Sequence, residues 1–159
     1  MNDEPGRIGV LFVCMGNICR SPLAEGLFIH QAREREALHR FEVDSCGTGG
    51  WHAGNPADPR SIAVARRHGV VLPSRARQVD AALDWRFDRI VAMDRSNRDD
   101  LLALGAPRER VSLMLSWDPS LEGEHDVPDP YYGGADGFDG VYDMLERACA
   151  GLLDALRVE

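Results

Sequence analysis

Apolar residues in this chain are concentrated in short runs that alternate with longer amphipathic stretches. The runs at residues 8–13, 88–93 and 111–115 are rich in branched and aromatic apolar residues, and residues 41–45 alternate between apolar and polar. Short apolar runs bounded by turn residues are typical of strands, and a nearly continuous run is typical of a strand buried on both faces. The pattern therefore predicts four strands at these positions.

The stretches between the predicted strands have helical spacing. Apolar residues recur with this spacing from Leu23, and we expect that helix to reach about His39. Asp58 followed by proline predicts the start of a second helix. Residues 96–104 and 138–156 predict two more, whereas residues 116–135 read as a long loop of the kind that is often functional.

The alternation of strand and helix predicts an α/β fold. We expect a single domain over residues 1–159, built on a doubly wound four-stranded parallel sheet with helices on both faces. In such sheets, ligands bind outside the carboxyl ends of the strands.

The composition excludes several classes of function. The 159 residues carry a net charge of −8, which disfavours general nucleic-acid binding. All cationic side chains are arginine, so a Schiff-base lysine or a Walker-type phosphate lysine is excluded. No apolar run approaches the ~20 residues that span a bilayer, and the N-terminal residues do not look like a signal peptide. Four unevenly spaced cysteines indicate a reduced, cytoplasmic setting. We expect no nucleic-acid or membrane partner.

Five arginines and no acid lie between Arg60 and Arg77. Such a stretch could attract an anionic partner, or it could be a solvated helix face followed by a loop. The sequence leaves both interpretations open.

The loop after the first predicted strand has the composition of a phosphate-binding site. A turn that leads into a helix aims backbone N–H groups and the positive end of the helix dipole at one point. Gly16 and Asn17 tolerate the positive φ values that such a turn requires. Arg20 offers a guanidinium fork that matches two phosphate oxygens. Cys14 at the base of this loop is expected to ionise, because helix N-termini and cations favour the thiolate.

The sequence leaves the roles of Ser21, Cys19 and Cys46 undecided. Ser21 could donate a hydrogen bond to the sulfur of Cys14, or it could cap the helix before Pro22. Cys19 could form a disulfide with Cys14 after oxidation, or it could be an inert packed thiol. Cys46, at the end of a predicted strand, receives no role.

A phosphate ester also needs a proton donor for its leaving group, and an aspartic acid could supply one. Asp129 is the first candidate, because prolines on both sides stiffen its backbone and two tyrosines, Tyr131 and Tyr132, follow it. Their rings could form the walls of a slot for an aryl group. Asp118 is the second candidate.

Residues 13–22, Val-Cys-Met-Gly-Asn-Ile-Cys-Arg-Ser-Pro, together with 129–133, Asp-Pro-Tyr-Tyr-Gly, resemble the low-molecular-weight protein tyrosine phosphatases. The likeness extends over nearly the whole chain. It implies a metal-free and cofactor-free two-step hydrolysis of phosphotyrosine, with inorganic phosphate as product. It also implies that Cys14 forms a cysteinyl-phosphate, that Arg20 and the loop amides bind the phosphoryl oxygens, and that Asp129 protonates the leaving phenol and later activates water.

The resemblance assigns the surrounding residues as well. Asn17, Ser21 and Ser45 would form a polar network that holds the loop. Gly16, Asn17, Cys19 and Ser21 would also belong to the residues of the loop that bind the phosphate. The residues implied for the entrance are Met15, Ile18, Trp51, Tyr131 and Tyr132. Ser74 stands where many members have a histidine, which implies a rearranged network.

Three alternatives use the same loop. An arsenate reductase would need further cysteines that relay a disulfide, but only Cys46 and Cys149 are left, and Cys149 lies on the apolar stripe of the last predicted helix. A protein-arginine phosphatase would resemble relatives that tend to have threonine in place of Ile18. A non-catalytic phosphate-binding redox switch would use Cys14 and Cys19, but it would not need an acid as well.

Overall fold

In a computed structural model of the chain, which describes residues 6–131, 133 and 135–157, four parallel strands form one sheet. The strands are β1 (Ile8–Cys14), β2 (Phe41–Gly47), β3 (Arg89–Ala92) and β4 (Val111–Leu113), in the order β2-β1-β3-β4. The pairing of β1 with β2 places Cys14 beside Gly47, and the pairing of β1 with β3 places Val13 beside Ala92. The predicted doubly wound parallel sheet is confirmed.

Among the described residues, four helices lie between the strands in the chain: α1 (Arg20–Glu34), α2 (Pro59–Arg67), α3 (Ala81–Asp84) and α4 (Arg95–Ala103). A fifth helix, α5 (Ala135–Arg157), follows the last strand. Short 3-10 turns occupy Leu38–Arg40, Arg108–Arg110 and Met114–Trp117. None of the helices in the described part of the chain is long and apolar enough to cross a membrane.

Two predicted boundaries are wrong. Helix α1 ends at Glu34 rather than near His39, because Glu36 takes a left-handed φ of 56° and the N–H of Ala37 turns back to the carbonyl of Ala32. This closure usually has glycine at the left-handed position, so the sequence gives no stop signal here. The fourth strand ends at Leu113 rather than Leu115, because a 3-10 turn begins at the next residue. The short helix α3 was not predicted.

Both faces of the sheet are covered: successive side chains of β1 point to opposite sides, and those on each side are buried in a core. Val10 and Phe12 lie in a core formed with helices α1, α2 and α5, whereas Leu11 and Val13 lie in a smaller core that includes Leu101 of α4. Cys149 of α5 is fully buried in the larger core, as its place on the apolar stripe predicted.

The strand order also fixes the position of the site. From β1 the chain first reaches β2 on one side, and it later returns to β3 on the other side. A crevice opens outside the carboxyl ends of the strands at such a reversal, which is where ligands bind in this class of sheet. Cys14 ends β1 there, and Asp94 follows β3 at the same edge.

Candidate active site

The loop between β1 and α1 curls around the sulfur of Cys14. Asn17 adopts a left-handed φ of 57°, and its backbone N–H donates to Cys14 Sγ at 3.2 Å. Gly16 does not share the positive φ that the sequence allowed it. Glycine is favoured at this position because there is little room for a side chain: a Cβ would lie 3.0 Å from Cδ2 of His52.

Ser21 provides a second polar contact to the nucleophile candidate. Its Oγ lies 3.0 Å from Cys14 Sγ, and both residues are buried. Ser21 does not cap α1, whose N-cap position is occupied by Cys19 without a side-chain hydrogen bond. The amide of Asn17 donates to Ser21 Oγ at 2.8 Å, and the hydroxyl hydrogen of Ser21 has two acceptors within reach, the sulfur of Cys14 at 3.0 Å and the carbonyl of Cys46 at 3.4 Å. Two polar groups therefore contact Cys14 Sγ, the backbone N–H of Asn17 and the hydroxyl of Ser21.

A chain of hydrogen bonds behind the loop holds Asn17 in place. Its amide nitrogen also donates to Ser45 Oγ at 3.0 Å, and its Oδ1 accepts from the backbone N–H of Arg77 at 3.0 Å. Ser45 and Ser74 each donate to the same Glu25 oxygen at 2.7 Å. Ser74 thus joins the predicted network of Asn17, Ser21 and Ser45 through Glu25, a residue that sequence reasoning missed.

Glu25 is a carboxyl group on the buried side of α1. It is only 3% exposed, and this burial raises its pKa against the opposing effect of the two serine hydroxyls. An acidic residue within an otherwise apolar helix face was the sequence signal that could have identified it. The side chains of Asn17 and Ser21 are buried behind the loop and do not line the cavity, whereas the sequence had grouped them with the phosphate-binding residues.

Arg20 is fixed from two sides. Its Nη1 donates to Asp94 Oδ2 at 2.6 Å and to the carbonyl of Val127 at 2.9 Å. Burial opposes the charge, but the neighbouring Cys14, Asp94 and Asp129 outweigh it and raise the pKa of the guanidinium. Asp94, which sequence reasoning did not assign, also caps α4 by accepting from the N–H of Asn97 at 2.7 Å. Its place directly after β3 was the available signal.

The two candidate acids lie in different surroundings. Asp129 lines the cavity beside Cys14, with its Oδ2 3.7 Å from Arg20 Nη2. Asp118 is buried outside the cavity, where it accepts hydrogen bonds from Ser120 and contacts Arg147 at 3.4 Å. The hydrogen bonds from Ser120 lower the pKa of Asp118. The fold thus brings Asp129, and not Asp118, to Cys14.

A cavity of about 320 Å³ lies above the loop. Two residues form an exposed rim, Met15 at 41% and Trp51 at 74% exposure, and Tyr131 is exposed at 37%. Tyr132 lies outside the described residues. His52, which sequence reasoning missed, stands between Gly16 and Tyr131, with the His52 and Tyr131 ring centroids 6.1 Å apart. The full set of lining residues is Cys14, Met15, Gly16, Ile18, Cys19, Arg20, Trp51, His52, Asp129 and Tyr131.

Burial raises the pKa of each of the other three cysteines. Cys19 lines the cavity but is only 5% exposed, and burial together with the charge of Asp58 raises its pKa to about 12. Cys46 and Cys149 are fully buried, and burial raises the pKa of both thiols. All four cysteines are free thiols. Over the described residues, no group of three His, Cys, Asp or Glu side chains could hold a metal ion.

Comparison with known proteins agrees with this geometry. The sequence model of the family described as low molecular weight phosphotyrosine protein phosphatase matches residues 9–159. The chain is 48% identical over 153 residues to a low molecular weight protein-tyrosine-phosphatase of Streptomyces coelicolor, covering 93% of each chain. It superposes on a protein tyrosine phosphatase of Entamoeba histolytica with a TM-score of 0.88 at 37% identity, covering 94% of this chain and 97% of the other. A drosophila arginine phosphatase gives 0.84 at 32%, covering 92% and 96%. The chain therefore belongs to the low molecular weight phosphotyrosine protein phosphatase family that its sequence resembles.

Proposed function

We propose that the chain hydrolyses phosphotyrosine in proteins and small aryl phosphates by way of a cysteinyl-phosphate. The observation that carries this proposal is the convergence of three groups in one cavity: the sulfur of Cys14, the guanidinium of Arg20 and the carboxyl of Asp129. A nucleophile, a phosphate clamp and an acid are the groups that hydrolysis of an aryl ester requires without added cofactor.

In the first step, the thiolate of Cys14 attacks phosphorus and the bond from phosphorus to the phenolic oxygen breaks. Asp129 gives its proton to that oxygen, so the product leaves as a neutral phenol. Arg20 and the loop amides stabilise the charge on the three remaining phosphoryl oxygens. The fixed contacts of Arg20 with Asp94 and Val127 keep the guanidinium oriented before the substrate arrives.

In the second step, a water molecule attacks the phosphorus of the cysteinyl-phosphate. The Asp129 carboxylate takes a proton from this water, the bond from phosphorus to sulfur breaks, and inorganic phosphate is released. Ser21, at 3.0 Å from the sulfur, donates its hydrogen bond to the departing thiolate. The free enzyme is then regenerated with Asp129 protonated.

We expect a strong preference for aryl over alkyl phosphates. A tyrosine phosphate holds phosphorus farther from the main chain than a serine phosphate does. The cavity is lined by Ile18 and lies below a rim that includes Met15 and Trp51. Apolar contacts of this kind discriminate by about 1–3 kcal/mol, or roughly 10–200-fold. The measurement is kcat/KM on phosphotyrosine and phosphoserine versions of one peptide. Equal values would contradict the preference.

The likeness to an arginine phosphatase makes phosphoarginine the second candidate substrate. Ile18 lines the cavity and is apolar, so it offers no hydrogen bond to a guanidino group. Including a phosphoarginine peptide in the same comparison tests this alternative, and a higher kcat/KM on that peptide would overturn the assignment. An arsenate reductase is not supported, because Cys46 and Cys149 are both fully buried.

Several further expectations accompany the proposal. The substrates are tyrosine-phosphorylated proteins or peptides, the product is inorganic phosphate, and no nucleic acid or membrane takes part. Residues 1–159 form a single domain that acts in the cytoplasm, a setting in which four free thiols persist. Reversible protection by a Cys14–Cys19 disulfide stays a prediction.

A further inference from the structure

We infer that Arg60 is a positioning residue that holds Asp129 over the phosphate-binding loop; this inference rests on the proposed role of Asp129. Arg60 opens the arginine-rich stretch to which the sequence assigned no function. Other arginines of the stretch form ion pairs away from the acid: Arg67 pairs with Asp139, and Arg77 pairs with Asp84. Arg60 differs from them because its partners include the segment that carries the acid.

The first turn of α2, on which Arg60 lies, is attached to the phosphate-binding loop. The backbone N–H of Asp58 donates to the carbonyl of Ile18 at 2.8 Å. The hydroxyl of Ser61 donates to the carbonyl of Cys19 at 3.2 Å, and Ser61 is fully buried. Both carbonyls belong to the loop between β1 and α1, so the start of α2 keeps a fixed position relative to that loop.

Asp58 orients the guanidinium of Arg60. Its Oδ1 accepts from Arg60 Nε at 3.0 Å, and its Oδ2 accepts from Arg60 Nη2 at 3.0 Å. A two-point contact of this kind fixes the plane of the guanidinium as well as its distance. The carboxylate is only 7% exposed, whereas the arginine side chain is 37% exposed and extends outward from it.

From this position Arg60 reaches the segment that follows Asp129. Its Nη2 donates to the carbonyl of Tyr131 at 3.0 Å, and its Nη1 donates to the carbonyl of Gly133 at 3.3 Å. The guanidinium also lies 4.5 Å from the centroid of the Phe138 ring and 5.6 Å from that of Tyr131, both within the range of cation–π attraction.

Tyr131 connects this clamp to the acid. Its backbone N–H donates to Asp129 Oδ1 at 3.0 Å, while its carbonyl accepts from Arg60. The same residue is therefore held by Arg60 and holds the carboxyl group. Loss of the clamp would let Tyr131 shift, and Asp129 would shift with it from its position 3.7 Å from Arg20. A misplacement of about 1 Å can cost on the order of 100-fold in rate.

The test compares kcat/KM for phenyl phosphate and 4-nitrophenyl phosphate in Arg60→Met. Only the poor leaving group, phenol, depends strongly on proton donation. We expect kcat/KM for phenyl phosphate to fall roughly ten- to a hundredfold, with less than about a threefold change for 4-nitrophenyl phosphate. Inhibition by inorganic phosphate should stay within about threefold of its original value, since the phosphate-binding loop is unchanged. Arg60→Lys keeps the charge without the fork, so it should show the same pattern to a smaller degree.

Arg67→Met is the matched control, because this exposed arginine lies on the same helix and pairs with Asp139 of α5. This variant should leave kcat/KM for both substrates unchanged. The decisive variant is Arg60→Met combined with Asp129→Ala: once the acid is absent, loss of Arg60 should cause no further discrimination between the two substrates. An equal loss on both substrates, or a leaving-group effect that persists in the double variant, would overturn the inference.

Failure of this inference can be separated from failure of the proposed function. If Asp129→Ala alone shows no leaving-group dependence, the acid is assigned wrongly. If Asp129→Ala shows that dependence and neither Arg60 variant does, the acid assignment stands and Arg60 is not its positioning residue. Should Arg60→Met fail to fold, Arg60→Lys, checked by inorganic phosphate binding, gives the same decision.

Discussion

Replacement of Cys14 by serine is expected to lower kcat on 4-nitrophenyl phosphate by at least about ten-thousandfold. A hydroxyl group does not ionise under conditions in which a thiol near a helix N-terminus does, so the variant has no nucleophile. The N–H of Asn17 and the guanidinium of Arg20 stay in place, because Asn17 is also held through its side chain by Ser45 and Arg77, and Arg20 is held by Asp94 and the carbonyl of Val127. Inorganic phosphate should therefore bind at least as tightly as before, and loss of the negative sulfur should favour the dianion.

Steady-state kinetics measures the loss of turnover in Cys14→Ser, and calorimetric titration with inorganic phosphate measures whether the variant still binds phosphate. Cys149→Ala is the control, since this cysteine is buried in the core on α5 and does not line the cavity. It should retain activity where the protein is folded. Substantial turnover by Cys14→Ser would exclude a cysteinyl-phosphate. A folded Cys14→Ser that no longer binds phosphate would contradict the assignment of the loop.

Replacement of Asp129 by alanine is expected to lower kcat/KM for phenyl phosphate by about 100- to 1,000-fold, the usual contribution of a positioned general acid. The loss for 4-nitrophenyl phosphate should be smaller than about tenfold, because nitrophenolate leaves without a proton. This ratio reports the first chemical step. In addition, kcat should fall for every substrate, because the second step loses the base that activates water.

Asp118→Ala is the informative control for the acid. Asp118 accepts two hydrogen bonds from Ser120, so its removal should cost about 1–3 kcal/mol of folding free energy without any leaving-group dependence. Thermal denaturation and kinetics separate these effects. A leaving-group dependence in Asp118→Ala that is missing in Asp129→Ala would show that the wrong acid was chosen.

The strand, turn and helix that form the phosphate-binding loop could be predicted from the sequence, because each is determined by residues that are close together in the chain. The apolar run of β1, the turn with Asn17 and the helix that begins at Arg20 are adjacent in the chain, so their pattern alone predicted a site for an anion above Cys14. The end of α1 was not predictable, because Glu36 takes a conformation that glycine usually provides.

The residues that support the site depend on contacts between distant parts of the chain. Asp94 is 74 positions from Arg20, and Ser74 is 49 positions from Glu25. Neither pair produces a local pattern. The choice between Asp118 and Asp129 had the same limit, because both follow the fourth strand and both are followed by proline. Only the path of the loop shows that one of them reaches the cavity.

The central claim is that the sulfur of Cys14, in contact with the N–H of Asn17 and with the hydroxyl of Ser21, is the reactive nucleophile among the four cysteines. The most direct test is the rate of alkylation by iodoacetamide at neutral pH, followed by mass spectrometry of the four cysteine peptides. Cys19, Cys46 and Cys149 are buried with raised pKa values, so they should react slowly. The account predicts that Cys14 is alkylated at least about tenfold faster than these three cysteines, and that inorganic phosphate protects it. Alkylation of Cys14 no faster than that of the other cysteines, or a lack of protection by phosphate, would contradict the account.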